Sequence, residues 1–375
     1  MLEAVGKYQL KIRLQFIMFK RIVEELLATL SEKSEKILIA RFGLDGQKPK
    51  TLEAIGKEFG ITRERVRQIE VASFQKLKKS EKSESVLKIF KKAVAVIENQ
   101  GYFLGVKGFE KKFFRGKVTL LQENRLKIIL NSCQDFSYVK TTSKMNGFWY
   151  LQKEEVNPKI INNLHKCLLD YFKNIGEPVG LTKIVRDFEK ADFCREEEYN
   201  FLFNKGLTKN IIKTILQNSK LIEANILDEW GLASWKLIKA NGLKERSYLI
   251  FKKYQKPLHF RELTELINKH FTSQRVALPE TVCNVVIYFD DFVAVESGIY
   301  APSEWKIFDE ELKNEIVLFL ENKNKKAGKN IFVDRDEIIK YIREKRGDDI
   351  KTFVIQANLF DKNLFSRRGK GYTLK

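Results

Sequence analysis

The sequence predicts a mainly α protein, in which an N-terminal helix-turn-helix domain precedes tandem units of helices that each end in a small β-hairpin. Apolar residues recur at three- and four-residue intervals over long stretches, as they do on amphipathic helices. Four segments, each an apolar strand, a polar turn and a second strand, recur roughly every 70–85 residues, which is typical of tandem domains. A chain of 375 residues is long enough for several small domains.

Residues 1–30 predict one amphipathic helix or two. The apolar positions of this region are Leu10, Leu14, Ile17, Met18, Ile22, Leu26 and Leu27. Thr29 or Ser31 would cap the helix that follows, because a hydroxyl at that position accepts a backbone hydrogen bond. Ile37, Leu38, Phe42 and Leu44 are the apolar positions of that helix and of the residues just after it. They would pack under the two helices that follow.

The stretch from Thr51 to Leu77 predicts two helices joined by a tight turn. The first covers about Leu52–Phe59 and ends at Gly60, which adopts a left-handed conformation at little cost. Thr62 is a good N-cap for the second helix. At helical spacing, the inward residues of that helix are Val66, Ile69, Ala72 or Ser73, and Leu77. This arrangement is the helix-turn-helix layout.

Beyond residue 80, helices followed by a hairpin indicate the winged-helix plan, which is three helices and a β-hairpin wing. The predicted hairpins are Phe136–Gln152, Lys220–Trp235, Asp291–Trp305 and Leu364–Lys375. Alternating apolar residues around a polar turn predict each of them. The domain ranges that follow are 1–80, 84–155, 160–240, 244–307 and 310–375.

Two segments resemble known families. Residues Ile37–Ser80 resemble region 4 of a primary-type bacterial sigma factor, through RFGLDG at Arg41–Gly46 and TLEAIGKEFGITRERVRQIE at Thr51–Glu70. Residues Lys244–Ile307, with KPLHFRELTELI, PETVCNVVIYF and FVAVESGIYAPSEW, resemble a HARE-HTH domain. That winged helix also occurs in the delta subunit of bacterial RNA polymerase.

The start of the second helix carries residues that suit base reading, namely Arg63, Glu64, Arg67 and Gln68. In the major groove Arg donates to guanine, Gln binds adenine and an acid accepts from cytosine. The resemblance implies that these positions read the minus-35 promoter element. Phosphate contacts are expected from Thr62, Arg65, Lys57 and Lys76. Solvated charges on an exposed helix face are the alternative.

The sigma resemblance also implies a second surface, which docks on the flap of the RNA polymerase β subunit. The apolar candidates for it are Leu38, Phe42, Leu44, Leu52 and Ile55. The same residues could equally form the core of the domain, and the sequence does not separate the two roles.

The last predicted wing, Ser366–Tyr372, places Arg367, Arg368 and Lys370 around two glycines. A basic wing tip suits contact with DNA phosphates or with the minor groove. A solvated turn in a lysine-rich chain is the alternative.

The formal net charge of +20 favours a polyanionic partner, and double-stranded DNA is the expected one, although a lysine-rich composition could explain part of the excess. Cys133, Cys167, Cys194 and Cys283 are isolated in sequence, so neither a metal site nor a disulfide framework is expected. No catalytic motif is recognisable, and we expect no enzymatic activity, no cofactor and no small-molecule substrate. With no signal peptide and no membrane-spanning run, the expected location is cytoplasmic, in a bacterium and associated with the nucleoid.

The sequence therefore predicts a sequence-specific DNA-binding transcription factor. A complete primary-type sigma factor also has a helical module that melts the minus-10 element, for which residues 1–30 are too short. An accessory or regulatory factor of RNA polymerase is the expectation. Two alternatives stay open: a delta-like factor whose winged helices bind protein, and a DNA-targeting subunit of a restriction or defence system.

Overall fold

The computed structural model describes residues 17–114, 118–153, 156–191, 206–361 and 363–375. Two compact units divide the chain: residues 1–223 with 229–233, and residues 224–228 with 234–375. The prediction of a mainly α fold with small antiparallel sheets is confirmed. We retain the five predicted ranges as a proposal for the domain limits.

The first unit begins with a four-helix segment. Its helices are α1 (17–27), α2 (Glu32–Phe42), α3 (Leu52–Phe59) and α4 (Arg63–Lys79). Ser31, and not Thr29, caps α2 by accepting a hydrogen bond from the backbone N–H of Ser34. The helix predicted over Leu10 and Leu14 lies outside the described residues.

The core of this segment forms where α2, α3 and α4 meet. Ile37, Ile55 and Val66, one from each helix, are fully buried there. Of the two residues proposed for the inner face of α4, Ser73 is buried and Ala72 is exposed. The Ser73 hydroxyl donates to the carbonyl of Ile69 at 2.7 Å, which satisfies a polar group inside the core.

Two winged-helix-like units complete the first unit. The elements of the first are α5 (Glu84–Glu98), β1 (Phe103–Gly105), α6 (Val106–Phe113), α7 (Leu120–Asn131), β2 (Phe136–Val139) and β3 (Phe148–Leu151). The elements of the second are α8 (Pro158–Ile175), β4 (Val179–Gly180), α9 (Leu181–Lys190), α10 (Thr208–Asn218), β5 (Ile222–Ala224) and β6 (Glu229–Leu232).

The second compact unit contains two more winged-helix-like units. The elements of the third winged-helix-like unit, after the short helix α11 (Lys236–Lys239), are α12 (Leu243–Tyr254), β7 (Leu258–His259), α13 (Phe260–His270), α14 (Pro279–Tyr288), β8 (Phe292–Glu296) and β9 (Ile299–Pro302). The elements of the fourth are α15 (Glu310–Ala327), β10 (Val333–Asp334), α16 (Arg335–Arg346), α17 (Thr352–Leu359), β11 (Phe365–Arg368) and β12 (Gly371–Leu374).

All four sheets share one topology. The strand orders are β1-β3-β2, β4-β6-β5, β7-β9-β8 and β10-β12-β11. In each sheet the short strand before the second helix pairs with the last strand, which also forms the hairpin. This repeated order is why the four segments have the same sequence pattern.

The helix-turn-helix segment is attached to the first winged-helix-like unit at two places. The ring of Phe19 on α1 lies 6.2 Å from that of Phe113 and 4.9 Å from that of Phe114. At the end of α4, Lys78 donates to the carbonyl of Phe136 at 3.1 Å, and Gln134 donates to the carbonyl of Lys78 at 3.0 Å. These contacts fix the start and the end of the segment to the same neighbour.

The first and second winged-helix-like units are joined through α10. The Asn218 side chain donates to the carbonyl of Asn146 at 2.7 Å, and Asn146 donates back to the carbonyl of Asn218 from its backbone N–H at 2.9 Å. A Cβ added at Gly105 would lie 2.3 Å from the Asn218 amide oxygen. Only a glycine therefore fits at this contact without a shift in its neighbour.

His165 on α8 predicts a pH dependence of stability. The Ser219 hydroxyl oxygen accepts from the backbone N–H groups of Leu221 and Ile222, so its proton faces Nε2 of buried His165 at 2.8 Å. Burial, and then the charge of Lys144, lower the pKa of His165 from its ordinary value of about 6.5. Below pH 6.5 the unfolded state takes up a proton first, so the free energy of unfolding should fall as the pH decreases toward the folded pKa.

Denaturant unfolding between pH 7.5 and pH 5 measures this effect. The matched variant His165→Gln keeps an acceptor and cannot titrate in that range, so its stability should change less over the same interval. An equal slope in both proteins would assign the pH dependence to other groups.

Candidate nucleic-acid interface

Three residues between α3 and α4, or next to that turn, set the position at which α4 begins: Gly56, Gly60 and Thr62. Gly60 ends α3 in the left-handed region, with φ +63°, and the Thr62 hydroxyl accepts a hydrogen bond from the N–H of Arg65 at 3.1 Å. Gly56 lies where α3 meets this turn, and a Cβ added there would lie 2.7 Å from the Ile61 carbonyl oxygen. The close approach of α3 to the turn sets the position of α4.

The four predicted base-reading residues, Arg63, Glu64, Arg67 and Gln68, are all exposed on the first turns of α4. Arg67 donates twice to the Glu64 carboxylate, at 2.9 Å from Nε and 2.7 Å from the terminal nitrogen. These hydrogen bonds lower the pKa of the Glu64 carboxyl and raise that of the Arg67 guanidinium. Glu64 therefore orders Arg67 before any contact with a base.

The predicted phosphate residues of this segment are also at the surface. Lys57 on α3 is exposed, as are Thr62, Arg65 and Lys76. Arg65 donates to the Gln68 amide oxygen at 3.1 Å, which links one proposed phosphate contact to one proposed base reader. Donors at both ends of α4 and on α3 suit a helix that lies in a groove between two phosphate backbones.

Arg41 and Glu70 support this surface and were missed by the sequence reasoning. The Arg41 guanidinium donates to the carbonyl of Lys50 at 2.9 Å and to the Glu70 carboxylate at 3.4 Å. One side chain thus connects the end of α2, the loop before α3, and α4. The available signal was the presence of Arg41 and Glu70 within the two quoted motifs, which gave their spacing but not their contact.

The predicted docking set requires a correction. Leu38 and Ile55 are fully buried in the described structure and expose no side chain to a partner. Phe42, Leu44 and Leu52 are half-buried. Phe42 packs edge-to-face on Phe74 with ring centroids 5.8 Å apart, and Leu52 lines the core. Only these three retain surface that a polymerase subunit could cover.

The basic wing of the last unit is only partly available. Arg367 donates to the carbonyl of Gly369 at 2.9 Å, and its guanidinium lies 5.6 Å from the ring centre of Phe360 and 5.8 Å from that of Tyr372. Arg367 therefore stabilises the turn of its own hairpin. Arg368 and Lys370 are exposed at the tip and remain the better phosphate candidates.

Three of the four third helices of the winged-helix-like units differ from α4. In α7 every residue after Leu120 is at least partly buried, and α17 has no exposed residue. In α10 only three residues in one line along the helix are exposed: Lys209, Lys213 and Gln217. In these three helices most of the surface that would enter a groove is therefore covered by protein, whereas α14 of the third winged-helix-like unit is more exposed.

The described residues contain neither a metal-binding group nor a membrane-spanning helix. No three His, Cys, Asp or Glu residues among them are grouped to hold a metal ion. None of their helices combines the length and the apolar character that crossing a membrane requires. Burial raises the pKa of the Cys133 thiol to about 11, so this thiol is protonated at neutral pH. Cys194 lies outside the described residues.

Residues 26–79 match the family described as Sigma-70, region 4. The chain is similar to the RNA polymerase sigma factor SigA of a Bacillus species, with 47% identity over 66 residues, which is 18% of each chain. It is also similar to SigA of Clostridium acetobutylicum, with 45% identity over 71 residues, or 19% of each chain. The matched segment thus spans less than a fifth of the length of these relatives.

The matched segment is therefore a sigma-70 region 4 DNA-binding domain, related to sigma factors. It contains α2, α3 and α4, and with them all the predicted base-reading residues. The HARE-HTH resemblance of Lys244–Ile307 stays a prediction.

Proposed function

We propose that this chain is a sequence-specific transcription factor that reads a minus-35-like promoter element through the start of α4. The observation that carries the proposal is the exposed start of α4, in which Arg67 is held by Glu64 and Arg65 is held by Gln68. Ordered side chains lose less conformational entropy when they bind, so this arrangement favours specific contacts. The family match supports this proposal, because the matched segment that contains α4 is a DNA-binding domain.

We further propose an accessory or regulatory role with bacterial RNA polymerase. The relatives are named RNA polymerase sigma factors, and the similarity covers only one of their domains. The remaining described residues of this chain form winged-helix-like units instead. The polymerase contact on region 4 would use Phe42, Leu44 and Leu52, and the β-subunit flap is the proposed partner. A protein with this role would be found with the bacterial nucleoid.

Selection of duplexes from a random pool by the full chain tests the DNA-reading proposal. We expect enrichment of one minus-35-like sequence. Arg63→Ala and Gln68→Ala should each reduce discrimination between that duplex and a random one by about 1–3 kcal/mol, because each removes a donor to a base edge. Direct titration of both duplexes at one salt concentration measures the difference.

The matched control is Lys57→Ala, which removes a proposed phosphate contact on α3. It should weaken binding to both duplexes by the same factor, because phosphates are present in every sequence. If Arg63→Ala and Gln68→Ala also weaken both duplexes equally, α4 holds the backbone and does not read bases.

A further inference from the structure

Residues 276–305 contain no Lys, Arg or His in a chain whose net charge is +20. The same stretch carries five carboxylates: Glu280, Asp290, Asp291, Glu296 and Glu304. It includes α14 and the β8–β9 hairpin, which are the third helix and the wing of the third winged-helix-like unit. A winged helix contacts DNA mainly through those two elements, and here both would repel phosphates.

The nearby cations do not reverse this charge. Lys244 on α12 lies 2.6 Å from the Asp291 carboxylate and 4.8 Å from the ring centre of Phe289. Its charge is therefore balanced within the unit. Arg275 is exposed and comes directly before the stretch in the sequence. The five carboxylates outnumber Lys244 and Arg275, so the surface stays negative.

The C-terminal end of α14 also exposes apolar side chains. The inner residues Val282 and Val286 are buried in the core of the unit. Three consecutive residues at the end of the helix are exposed, and we call them the α14 face: Ile287, Tyr288 and Phe289. Val276 and Leu278, just before the helix, are exposed as well. Within the α14 face, Tyr288 is 80% exposed and Ile287 is 55% exposed. Large apolar side chains grouped on a surface mark sites of protein contact more often than chance exposure.

Third helices already make protein contacts elsewhere in this chain. In the fourth winged-helix-like unit, Ala357 of α17 packs with Ala301 and Ile307 of the third winged-helix-like unit. The ring centres of Phe353 and Trp305 lie 5.2 Å apart. Asn358 donates to the carbonyl of Ile307 at 2.6 Å. In the second winged-helix-like unit, α10 contacts the first winged-helix-like unit through Asn218. The α14 face has the same apolar character but is exposed to solvent.

We propose that the α14 face docks a partner protein whose apolar surface is bordered by Lys and Arg side chains. Burial of the exposed aromatic and aliphatic side chains would supply most of the affinity, and Glu280 and Asp290 would pair with the basic border. Two copies of the same face would bring their carboxylates together, so the charge disfavours self-association through it. The chain then joins a DNA-reading domain to a protein-docking helix.

Panning a phage-displayed library of random peptides on the immobilised full chain tests this proposal without DNA, so its outcome is independent of the promoter-reading proposal. We expect enriched peptides that combine apolar residues with Lys or Arg. The double variant Ile287→Ser with Tyr288→Ser should bind the selected peptides at least about tenfold more weakly, because it removes two central anchors. Both side chains are largely exposed, so the fold should be retained.

Two variants complete the experiment. Leu318→Ser changes another exposed apolar side chain, which lies on α15 and is 53% exposed. This variant should leave the affinity for the selected peptides unchanged. The double variant Glu280→Lys with Asp290→Lys should weaken the binding of the basic peptides, although it leaves the apolar side chains of the α14 face unchanged. Selected peptides that are acidic, or that bind the Ile287→Ser/Tyr288→Ser variant like the parent, would overturn the proposal. So would a concentration-dependent dimer that this double variant abolishes, because self-association would then be the use of the face.

Discussion

Gly56→Val is expected to abolish sequence-specific DNA binding and to lower the free energy of unfolding of the region 4 domain by about 3 kcal/mol. Even the first side-chain carbon would lie 2.7 Å from the carbonyl oxygen of Ile61, and this neighbour is backbone that cannot rotate away. The turn must therefore move, and α4 moves with it. Affinity for the selected duplex should fall to the level of random DNA.

Chemical denaturation and titration with the two duplexes measure the two effects. Gly180→Val is the matched control, since a Cβ at Gly180 has no heavy atom within 4 Å. Gly180 is the N-cap of α9, where Val is less favourable than Gly, so the control should cost about 1 kcal/mol and leave DNA binding as in the parent. If Gly56→Val retains discrimination between the duplexes, the approach of α3 to the turn does not set the position of α4.

Local features of this fold could be predicted from the sequence. The predicted helix over Leu52–Phe59 has those limits in the structure, and Gly60 and Thr62 end and begin helices as expected. The four hairpins lie within the predicted segments. Each of these features depends on neighbours within a few residues, through helical spacing, a cap or a turn. Such signals are complete in a short stretch of sequence.

Burial that depends on distant neighbours could not be predicted. Gln122 and Asn124 on α7, and Thr208, Thr214 and Asn218 on α10, are polar and would be assigned to an exposed face, yet they are buried. Asn218 is buried because Asn146, far away in sequence, supplies its hydrogen-bond partner. The sequence pattern therefore indicated four winged helices, but it did not show which third helices are covered.

The candidate site shows the same limit. Exposure of Arg63, Glu64, Arg67 and Gln68 followed from helical spacing, because inward Val66 fixes which face is outward. The docking set did not follow, because an apolar residue satisfies a core and an interface equally well. In the structure Leu38 and Ile55 belong to the core.

Phe19→Ala is expected to cost about 3–5 kcal/mol of unfolding free energy, the range for truncation of a buried aromatic side chain. Phe19 is 1% exposed and contacts both Phe113 and Phe114, so its loss leaves a cavity between α1 and the first winged-helix-like unit. The end of α4 would still be held through Lys78 and Gln134. Loss of amide-exchange protection should therefore be largest in α1 and α6 and smaller in α4.

The neighbouring residue provides the control, because Met18 lies on the same helix and is 40% exposed. Met18→Ala should cost well under half as much, since a half-exposed side chain buries less apolar area. Equal losses for the two variants would mean that α1 is not anchored through Phe19. If the predicted difference is found and Phe19→Ala retains DNA discrimination, α1 stabilises the junction between the helix-turn-helix segment and its neighbour without setting the position of α4.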